Sequence, residues 1–347
     1  MIHHHLPLFL SRAAIFGRHA IDFSQSALKL TLVNLRLVAP LSFRRRATRE
    51  SLPEEPGGAT QRRGWSGKPP LLIHYHIFKN AGTSFEWALA QALGEGYQRY
   101  DSLSTQGFIS ARDLVEFSFR HPDVTAISSH QAAPPAPRIF GRDVFTSILI
   151  RDPIARIRSI YAFERGQQTT NPGALKAKEY TFKEYVEWRL ETSPTLFCNY
   201  QVFYCSRAAN KVTLPGPAEL ETAIANLDTV SIVGTVARFD AWLALAQKTL
   251  SSAFPEISLP VSHRNVTSEP RRGEAAILED LVRDLGDTTA QYLLKNNELD
   301  MCLHQVADAL LTRRLAERGV DLALLRAYSG ALEETQPNAA ASSGMPG

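Results

Sequence analysis

The stretch from Leu71 to Phe85 constrains the fold more than any other part of the chain. Its sequence, LLIHYHIFKNAGTSF, is an apolar run that ends in a small polar turn, and a helix-like segment follows at once. A strand that leads into a helix through small residues brings free backbone N–H groups and the positive end of the helix dipole together, which suits a phosphate group. We therefore predict a strand over 71–77, a helix over 83–94 and an anion-binding loop between them.

The loop is rich in residues that can hold a phosphate. Lys79 supplies a full positive charge, and Gly82 lets the backbone approach a ligand closely because it carries no Cβ atom. The residues predicted to bind the anion are Lys79, Asn80, Ala81, Gly82, Thr83 and Ser84. An ordinary strand–turn–helix corner is the alternative, because the lysine precedes the glycine here, whereas in a Walker A loop it follows the second glycine.

A second apolar run, VFTSILI over residues 144–150, leads into Arg151-Asp152-Pro153. Continuous apolar runs of this length are typical of strands that are buried on both faces. Asp152 suits the N-cap of a following helix, and Pro153 suits its first position. Arg151 would then lie at the carboxyl end of a strand, where open α/β sheets bind ligands, with Ser159 about two helical turns further on. We expect Arg151 and Ser159 to hold one phosphate together.

A third apolar segment, over residues 124–129, ends at His130. If this segment is a parallel strand, His130 lies on the same rim of the sheet as Lys79 and Arg151. An imidazole can accept a proton near neutral pH, so His130 is our candidate general base. A histidine that only caps the end of a strand would show the same pattern. The paired histidines of the first strand, His74 and His76, are more typical of packed, hydrogen-bonded side chains.

The order of the predicted elements indicates the fold class. Strands near 71–77, 124–129, 144–150 and 230–235 alternate with helices near 83–94, 153–165, 179–191, 238–253, 274–284 and 298–316. Such alternation favours right-handed parallel crossovers with helices on both faces of a sheet. The sequence therefore predicts an α/β, three-layer sandwich with a mainly parallel sheet, of the P-loop-containing nucleotide-binding type.

Five segments together resemble the carbohydrate sulfotransferases of the Golgi type, including the heparan sulfate 2-O-sulfotransferase-like enzymes. HIFKNAGTSF is similar to that family's 5′-phosphosulfate loop, and LIRDPIARIRS is similar to its 3′-phosphate motif. The other three matches, in the same order along the chain, are NYQVFYC at 199–205, VGTVARFDAWL at 233–243 and NELDMCLH at 297–304. Three departures are visible: Phe78 replaces a usual proline, Ala237 a glutamate and His304 a tyrosine.

The resemblance implies transfer of a sulfuryl group from 3′-phosphoadenosine 5′-phosphosulfate (PAPS) to a hydroxyl of a glycan or glycoconjugate, without a metal. It implies that Lys79 and the N–H groups near Gly82 stabilise the leaving 5′-phosphate. It also supports Arg151 and Ser159 as ligands of the 3′-phosphate and His130 as the catalytic base. The corresponding organisation is an N-terminal extension and linker over 1–70, a sulfotransferase domain over 71–318 and a largely disordered tail over 319–347.

Two other functions stay open at this point. A P-loop kinase would need Walker spacing and a carboxylate for Mg²⁺, and the displaced Lys79 argues against it. A binding protein could keep the nucleotide-binding fold without turnover, although the intact set of Lys79, His130, Arg151 and Ser159 argues against such decay.

Composition limits the partners and the compartment. A net charge of +3 over 347 residues is too small to indicate nucleic-acid binding. No apolar run approaches the ~20 residues of a membrane span. The amphipathic segment 27–41 is expected to pack on the domain or to be disordered, and weak contact with a membrane surface is the alternative. Three cysteines form no disulfide framework, which favours a reducing compartment. We therefore expect a cytoplasmic protein, of a bacterial type, that lacks the membrane anchor of the Golgi enzymes.

Overall fold

The computed structural model describes residues 67–104, 107–207, 214–259 and 274–320. Most of the predicted N-terminal extension and nearly all of the predicted tail lie outside these residues. Within them, five strands form one sheet in which every neighbouring pair is parallel. The strands are β1 (Leu71–Tyr75), β2 (Tyr97–Arg99), β3 (Ala126–Ser129), β4 (Val144–Ile150) and β5 (Ile232–Thr235), in the spatial order β2-β3-β1-β4-β5.

Twelve α-helices lie in the described ranges. They are α1 (Gly82–Leu93), α2 (Ala111–Arg120), α3 (Pro153–Gly166), α4 (Pro172–Glu179), α5 (Phe182–Thr192), α6 (Pro194–Phe197), α7 (Tyr200–Cys205), α8 (Pro217–Thr229), α9 (Phe239–Leu250), α10 (Glu274–Leu285), α11 (Asp287–Lys295) and α12 (Glu298–Glu317). Short 3₁₀ turns follow α1 and precede α9. None of these helices is both long and apolar enough to cross a membrane.

Two apolar clusters cover opposite faces of the sheet. In β1, Leu71, Ile73 and Tyr75 pack on one face with side chains of α2, α7, α8 and α12. Leu72 points to the other face, where α1 and α9 pack. Successive side chains of a strand alternate between faces, so a fully buried strand such as β1 needs a helical layer on each side. The prediction of an α/β fold with a parallel sheet and helices on both faces is confirmed.

The elements that frame the rim of the sheet agree closely with the sequence prediction. Strand β4 has the predicted bounds, and α3 begins at Pro153 as expected. The carboxylate of Asp152 caps α3 by accepting a hydrogen bond from the N–H of Ala155 at 2.8 Å. The helix predicted near 179–191 is α5, which begins at Phe182 because Thr181 caps its start. The short helix just before it, α4, was not predicted.

The strand order creates a crevice between β1 and β4. From β1 the chain passes to β2 on one side of the sheet, whereas from β4 it passes to β5 on the other. Where connections leave neighbouring parallel strands in opposite directions, the carboxyl ends of those strands border an open cleft that is the usual ligand site. The residues that follow β1 and β4 therefore border this cleft.

Candidate active site at the carboxyl edge of the sheet

The loop between β1 and α1 has an unusual backbone. Lys79 and Ala81 have φ values of 65° and 59°, a left-handed conformation that residues other than glycine seldom adopt. Ala81 is the N-cap of α1, yet no side chain caps this helix and its first turn holds no acidic residue. Left-handed residues in a tight turn direct successive N–H groups into a concave, anion-binding surface. The loop therefore has the backbone shape and the uncapped helix end that an anion would complement.

The rings of His74 and His76 pack against Gly82, where the loop joins α1. A Cβ atom built on Gly82 would lie 2.5 Å from Cδ2 of His76 and 2.8 Å from Nε2 of His74. Both imidazoles are buried in β1 and the residue just after it. The sequence suggested that Gly82 gives a ligand room; the structure adds that the rings of His74 and His76 already require glycine at this position.

Asn80 anchors the loop to its neighbours. Its side chain is buried, and Nδ2 donates hydrogen bonds to the carbonyl oxygen of Leu149 at 2.8 Å and to Oε1 of Gln201 at 2.7 Å. Its Oδ1 atom is buried and has no hydrogen-bond partner among the described residues. The Asn80 side chain, which we predicted to be part of the anion site, therefore fixes the loop to the end of β4 and to α7.

Gln201 is the centre of a buried polar network that we call the Gln201 hub, formed by Asn80, Arg151, Gln201 and Asp300. Gln201 accepts a hydrogen bond from the backbone N–H of Arg151 at 2.9 Å and donates one to the Arg151 carbonyl oxygen at 2.7 Å. Asp300 in turn accepts hydrogen bonds from the backbone N–H groups of Gln201 and Val202 at 3.0 and 2.8 Å. The hub therefore joins the loop, β4, α7 and α12 at one point.

The two segments that contain Gln201 and Asp300 are also joined by a second set of hydrogen bonds. Asn199 accepts hydrogen bonds from the N–H groups of Leu299 and Asp300, and Asn297 accepts one from the N–H of Asn199. The segments 199–205 and 297–304, which were matched separately in the sequence, thus interlock by paired side-chain-to-backbone contacts. Burial raises the pKa of the Asp300 carboxyl, and the backbone N–H groups partly oppose that shift.

Arg151 and Lys79 meet in the crevice between β1 and β4. Nη1 of Arg151 donates a hydrogen bond to the backbone carbonyl oxygen of Lys79 at 3.0 Å. The Lys79 ammonium lies 4.2 Å from the centre of the Phe163 ring on α3. Burial lowers the pKa of Lys79, and the neighbouring charge of Arg151 lowers it further. The two positive charges repel each other, so an anionic ligand near them would be favoured.

The remaining predicted anion-binding residues lie on the two helices that begin at this crevice. Thr83 and Ser84 are in the first turn of α1, where Thr83 is exposed and Ser84 is half-buried. Ser159 is in the second turn of α3 and is half-buried.

His130 follows β3 directly and lies on the same rim. Nδ1 of His130 is 3.2 Å from Oδ2 of Asp101, and the backbone N–H of His130 donates to Oδ1 of Asp101 at 2.8 Å. The His130 ring stacks on that of His76, with the ring centres 4.3 Å apart. About 38% of the His130 side chain stays exposed, so the ring is both held and accessible.

A buried carboxylate lies behind this histidine pair. Oε1 of Glu86, on α1, is 2.7 Å from Nδ1 of His76, and Glu86 also accepts hydrogen bonds from Ser128 and Arg99. Burial alone would raise the pKa of Glu86, but the contact with His76 and the other donors hold it at about 2. His76 and Glu86 thus connect the catalytic candidate His130 to α1, the helix that follows the loop after β1.

His74 is a structural residue in this arrangement. It is buried, its Nδ1 is 2.9 Å from the hydroxyl of Ser147 on β4, and burial lowers its pKa to about 3. The interpretation of His74 as a packed, hydrogen-bonded histidine agrees with these contacts.

Two residues of the site, Asp101 and Glu86, were missed in the sequence analysis. Asp101 contacts His130 directly, and Glu86 contacts His76, which stacks on His130. Both contacts join residues that are distant in the sequence, so the sequence alone did not place these carboxylates near His130.

No group of three or more His, Cys, Asp or Glu side chains in the described ranges is arranged to hold a metal ion.

Comparison with known proteins gives little further information. No protein-family model matches the chain. A protein of Archaeoglobus fulgidus, described as an uncharacterized protein, is 28% identical over 244 residues, which cover 67% of this chain and 94% of that protein. The similarity extends over nearly the whole of the archaeal chain, and its description assigns no activity.

Proposed function

We propose that the protein is a sulfotransferase of the P-loop-containing nucleotide-binding type, which moves a sulfuryl group from PAPS to a hydroxyl of a glycan or glycoconjugate. The observation that carries this proposal is the meeting of Arg151 with the Lys79 loop in the crevice between β1 and β4. Both motifs were matched separately in the sequence to the two phosphate-binding segments of carbohydrate sulfotransferases. Their contact at the usual ligand position of an open parallel sheet supports the match.

In this proposal the donor lies across the crevice. The 5′-phosphosulfate contacts the N–H groups and the Lys79 ammonium of the loop at the start of α1, and the 3′-phosphate contacts Arg151 and Ser159. Asn80 and Gln201 fix the backbone at Lys79 and Arg151 before a ligand binds. A polyanion therefore binds with a smaller loss of conformational entropy at these two residues.

The chemistry follows from where charge develops. The acceptor oxygen attacks sulfur, the bond from sulfur to the 5′-phosphate oxygen breaks, and negative charge grows on the departing phosphate. Donors that are held in place before the reaction stabilise that charge most effectively, and Lys79 with the loop N–H groups has this role. His130, at the neighbouring strand end, accepts the proton of the acceptor hydroxyl.

The acceptor is proposed to bind next to His130. About 38% of the His130 side chain is exposed, and in this proposal the acceptor hydroxyl contacts that exposed part. A saccharide hydroxyl is proposed because the matched motifs are those of carbohydrate sulfotransferases.

Calorimetric binding of adenosine 3′,5′-bisphosphate, next to AMP and to ATP with Mg²⁺, tests the donor site. We expect a strong preference of the wild type for the bisphosphate. Arg151→Ala should remove that preference, because it removes the proposed ligand of the 3′-phosphate. Arg112→Ala is the matched control, since Arg112 is a largely exposed arginine on α2 that pairs with Glu116 of the same helix.

The other outcomes separate the competing functions. A preference for ATP with Mg²⁺ would support the kinase function instead. Tight bisphosphate binding without turnover of PAPS, against a panel of glycan acceptors, would support a binding protein. Equal affinities for all three nucleotides would contradict the donor site.

A further inference from the structure

The Asp101 carboxylate accepts several hydrogen bonds from the end of β3 and the first residues after it. It lies two residues beyond β2, at the same rim of the sheet as His130. One carboxylate oxygen, Oδ1, accepts hydrogen bonds from the hydroxyl of Ser129 and the N–H of His130, both at 2.8 Å, and from the N–H of Gln131 at 3.2 Å. The other oxygen, Oδ2, is 3.2 Å from Nδ1 of His130. One side chain thus fixes both the backbone and the ring of His130.

The contact between Oδ2 and Nδ1 determines which ring nitrogen carries hydrogen. Burial would raise the pKa of Asp101, but the hydrogen bonds from His130 and Ser129 outweigh it and lower the pKa. An ionised carboxylate only accepts hydrogen bonds, so Nδ1 of His130 must donate. In the neutral ring, the lone pair is then at Nε2, which makes no hydrogen bond to the described residues.

His76 restricts the rotation of the His130 ring by packing against its face. Its imidazole stacks on the face of His130 at a centre-to-centre distance of 4.3 Å and an interplanar angle of 27°. His76 is itself held through Nδ1 by Glu86 at 2.7 Å. With one edge bound by Asp101 and one face covered by His76, His130 presents Nε2 in a defined direction.

We propose that Asp101 is a positioning residue that holds His130 in the Nδ1–H tautomer, so that Nε2 is the atom that accepts the proton of the acceptor hydroxyl. This proposal rests on the proposed sulfotransferase function. In the step, the acceptor O–H proton passes to Nε2 while the acceptor oxygen forms a bond to sulfur. The bond from sulfur to the 5′-phosphate oxygen breaks, the nucleotide leaves with its electron pair, and His130 then releases the proton to water.

Asp101→Asn is the most direct test. The Asn oxygen can still accept the hydrogen bonds from Ser129, His130 and Gln131, so the local backbone is retained. The amide nitrogen, however, is a donor toward Nδ1, which forces the proton of the neutral ring onto Nε2 and removes the base. We expect kcat for sulfuryl transfer to fall about 10²–10⁴-fold, the usual contribution of a general base, since the wrong tautomer removes that base. The KM for the acceptor and the affinity for adenosine 3′,5′-bisphosphate should change less than about threefold.

Asp123→Asn is the matched control. Asp123 is exposed and precedes β3, at the opposite end of the strand that His130 follows. The same chemical change there should leave kcat, KM and bisphosphate affinity at wild-type values.

A measurement without turnover tests the tautomer itself. Long-range ¹H–¹⁵N spectra of the imidazole nitrogens, with His130→Gln used to assign the His130 signals, should show protonated Nδ1 and unprotonated Nε2 in the neutral wild-type ring. Asp101→Asn should show the reverse. A wild-type ring with protonated Nε2, or a tautomer that Asp101→Asn does not change, would overturn the inference.

The two proposals fail in different ways. If the wild type neither binds the bisphosphate nor transfers sulfuryl groups, the sulfotransferase function fails, and the spectra still test the tautomer. If the wild type is active and Asp101→Asn has the same kcat, the role of Asp101 fails while the sulfotransferase function stands. Partial recovery of Asp101→Ala activity by added formate would support the role of the missing carboxylate.

Discussion

Gly82 and His76 are packed so tightly that a methyl group on the glycine would overlap the imidazole. The built Cβ atom would lie 2.5 Å from Cδ2 of His76, well inside the distance at which carbon atoms attract each other. The first residue of α1 thus packs directly against the histidine that follows β1. This fit has a measurable consequence for both stability and ligand binding.

Gly82→Ala should lower the free energy of unfolding by about 1–3 kcal/mol, the usual cost of overpacking a close contact. It should also weaken binding of adenosine 3′,5′-bisphosphate, since relief of the overlap moves the start of α1. Gly166→Ala is the control, because Gly166 ends α3 with open space around it and an ordinary φ. That change should be neutral or stabilising by up to about 1 kcal/mol. Urea denaturation and calorimetry provide both values, and equal behaviour of the two variants would contradict the prediction.

Gln201→Ala should uncouple the loop between β1 and α1 from α7. The variant leaves buried groups of Asn80 and Arg151 without partners, at about 1–3 kcal/mol each, so we expect a loss of roughly 2–5 kcal/mol in unfolding free energy. Gln247→Ala removes a comparable pair of backbone contacts, to Ile257 and Leu259. Both variants should be destabilised, but only Gln201→Ala should lose bisphosphate affinity at a temperature where both are folded. Unchanged affinity in Gln201→Ala would show that the hub does not shape the loop.

His130→Ala should reduce kcat about 10²–10⁴-fold with little change in bisphosphate affinity, because in the proposed function the ring acts on the acceptor and not on the nucleotide. The control is His121→Ala, which removes an exposed imidazole that ends α2 and contacts Phe117. Single-turnover sulfuryl transfer measures the chemical step. Wild-type turnover in His130→Ala would assign the base to another group.

Stability should fall between pH 7 and pH 5 because of His74. Its pKa is about 3 in the folded protein and near 6.5 when unfolded, so below pH 6.5 the unfolded chain binds a proton that the native protein does not. The contribution of His74 is complete above pH 6.5 and is lost progressively down to about pH 3. Between pH 7 and pH 5 the loss amounts to about 2 kcal/mol.

His74→Asn removes this titration while an amide can still reach the hydroxyl of Ser147. The wild type should therefore lose about 2 kcal/mol more than His74→Asn over this interval, measured by urea denaturation at each pH. His121→Asn, at an exposed site, should follow the wild type. Parallel pH curves for wild type and His74→Asn would contradict the burial of a neutral ring.

The sequence predicted the strands and helices that have long, uninterrupted apolar patterns. β4 and α3 were found because a seven-residue apolar run and an Asp-Pro helix start are strong local signals. Strand β2 was missed because Tyr97–Arg99 is short, partly exposed and polar. Helix α2 was missed although Ser110 and Asp113 form a capping box that the sequence displays. The capping box was a sufficient sequence signal to predict the start of this helix.

The site could be predicted only in part, for a related reason. Lys79, Arg151 and His130 were found because each follows a recognisable strand. Asp101 follows β2, so without that strand nothing placed it on the rim beside His130. Glu86 faces His76 across the contact between α1 and the sheet, and such a pairing depends on the rotation of a helix that local sequence does not determine.

The Gln201 hub has a consequence for how the protein is made. Asn80 is translated early, whereas Gln201 and Asp300, which complete its surroundings, follow more than a hundred and more than two hundred residues later. A ribosome-bound chain that has not yet released α12 lacks the carboxylate that orients α7. The buried network around Asn80 is therefore completed last during synthesis, when the final described helix docks against α7.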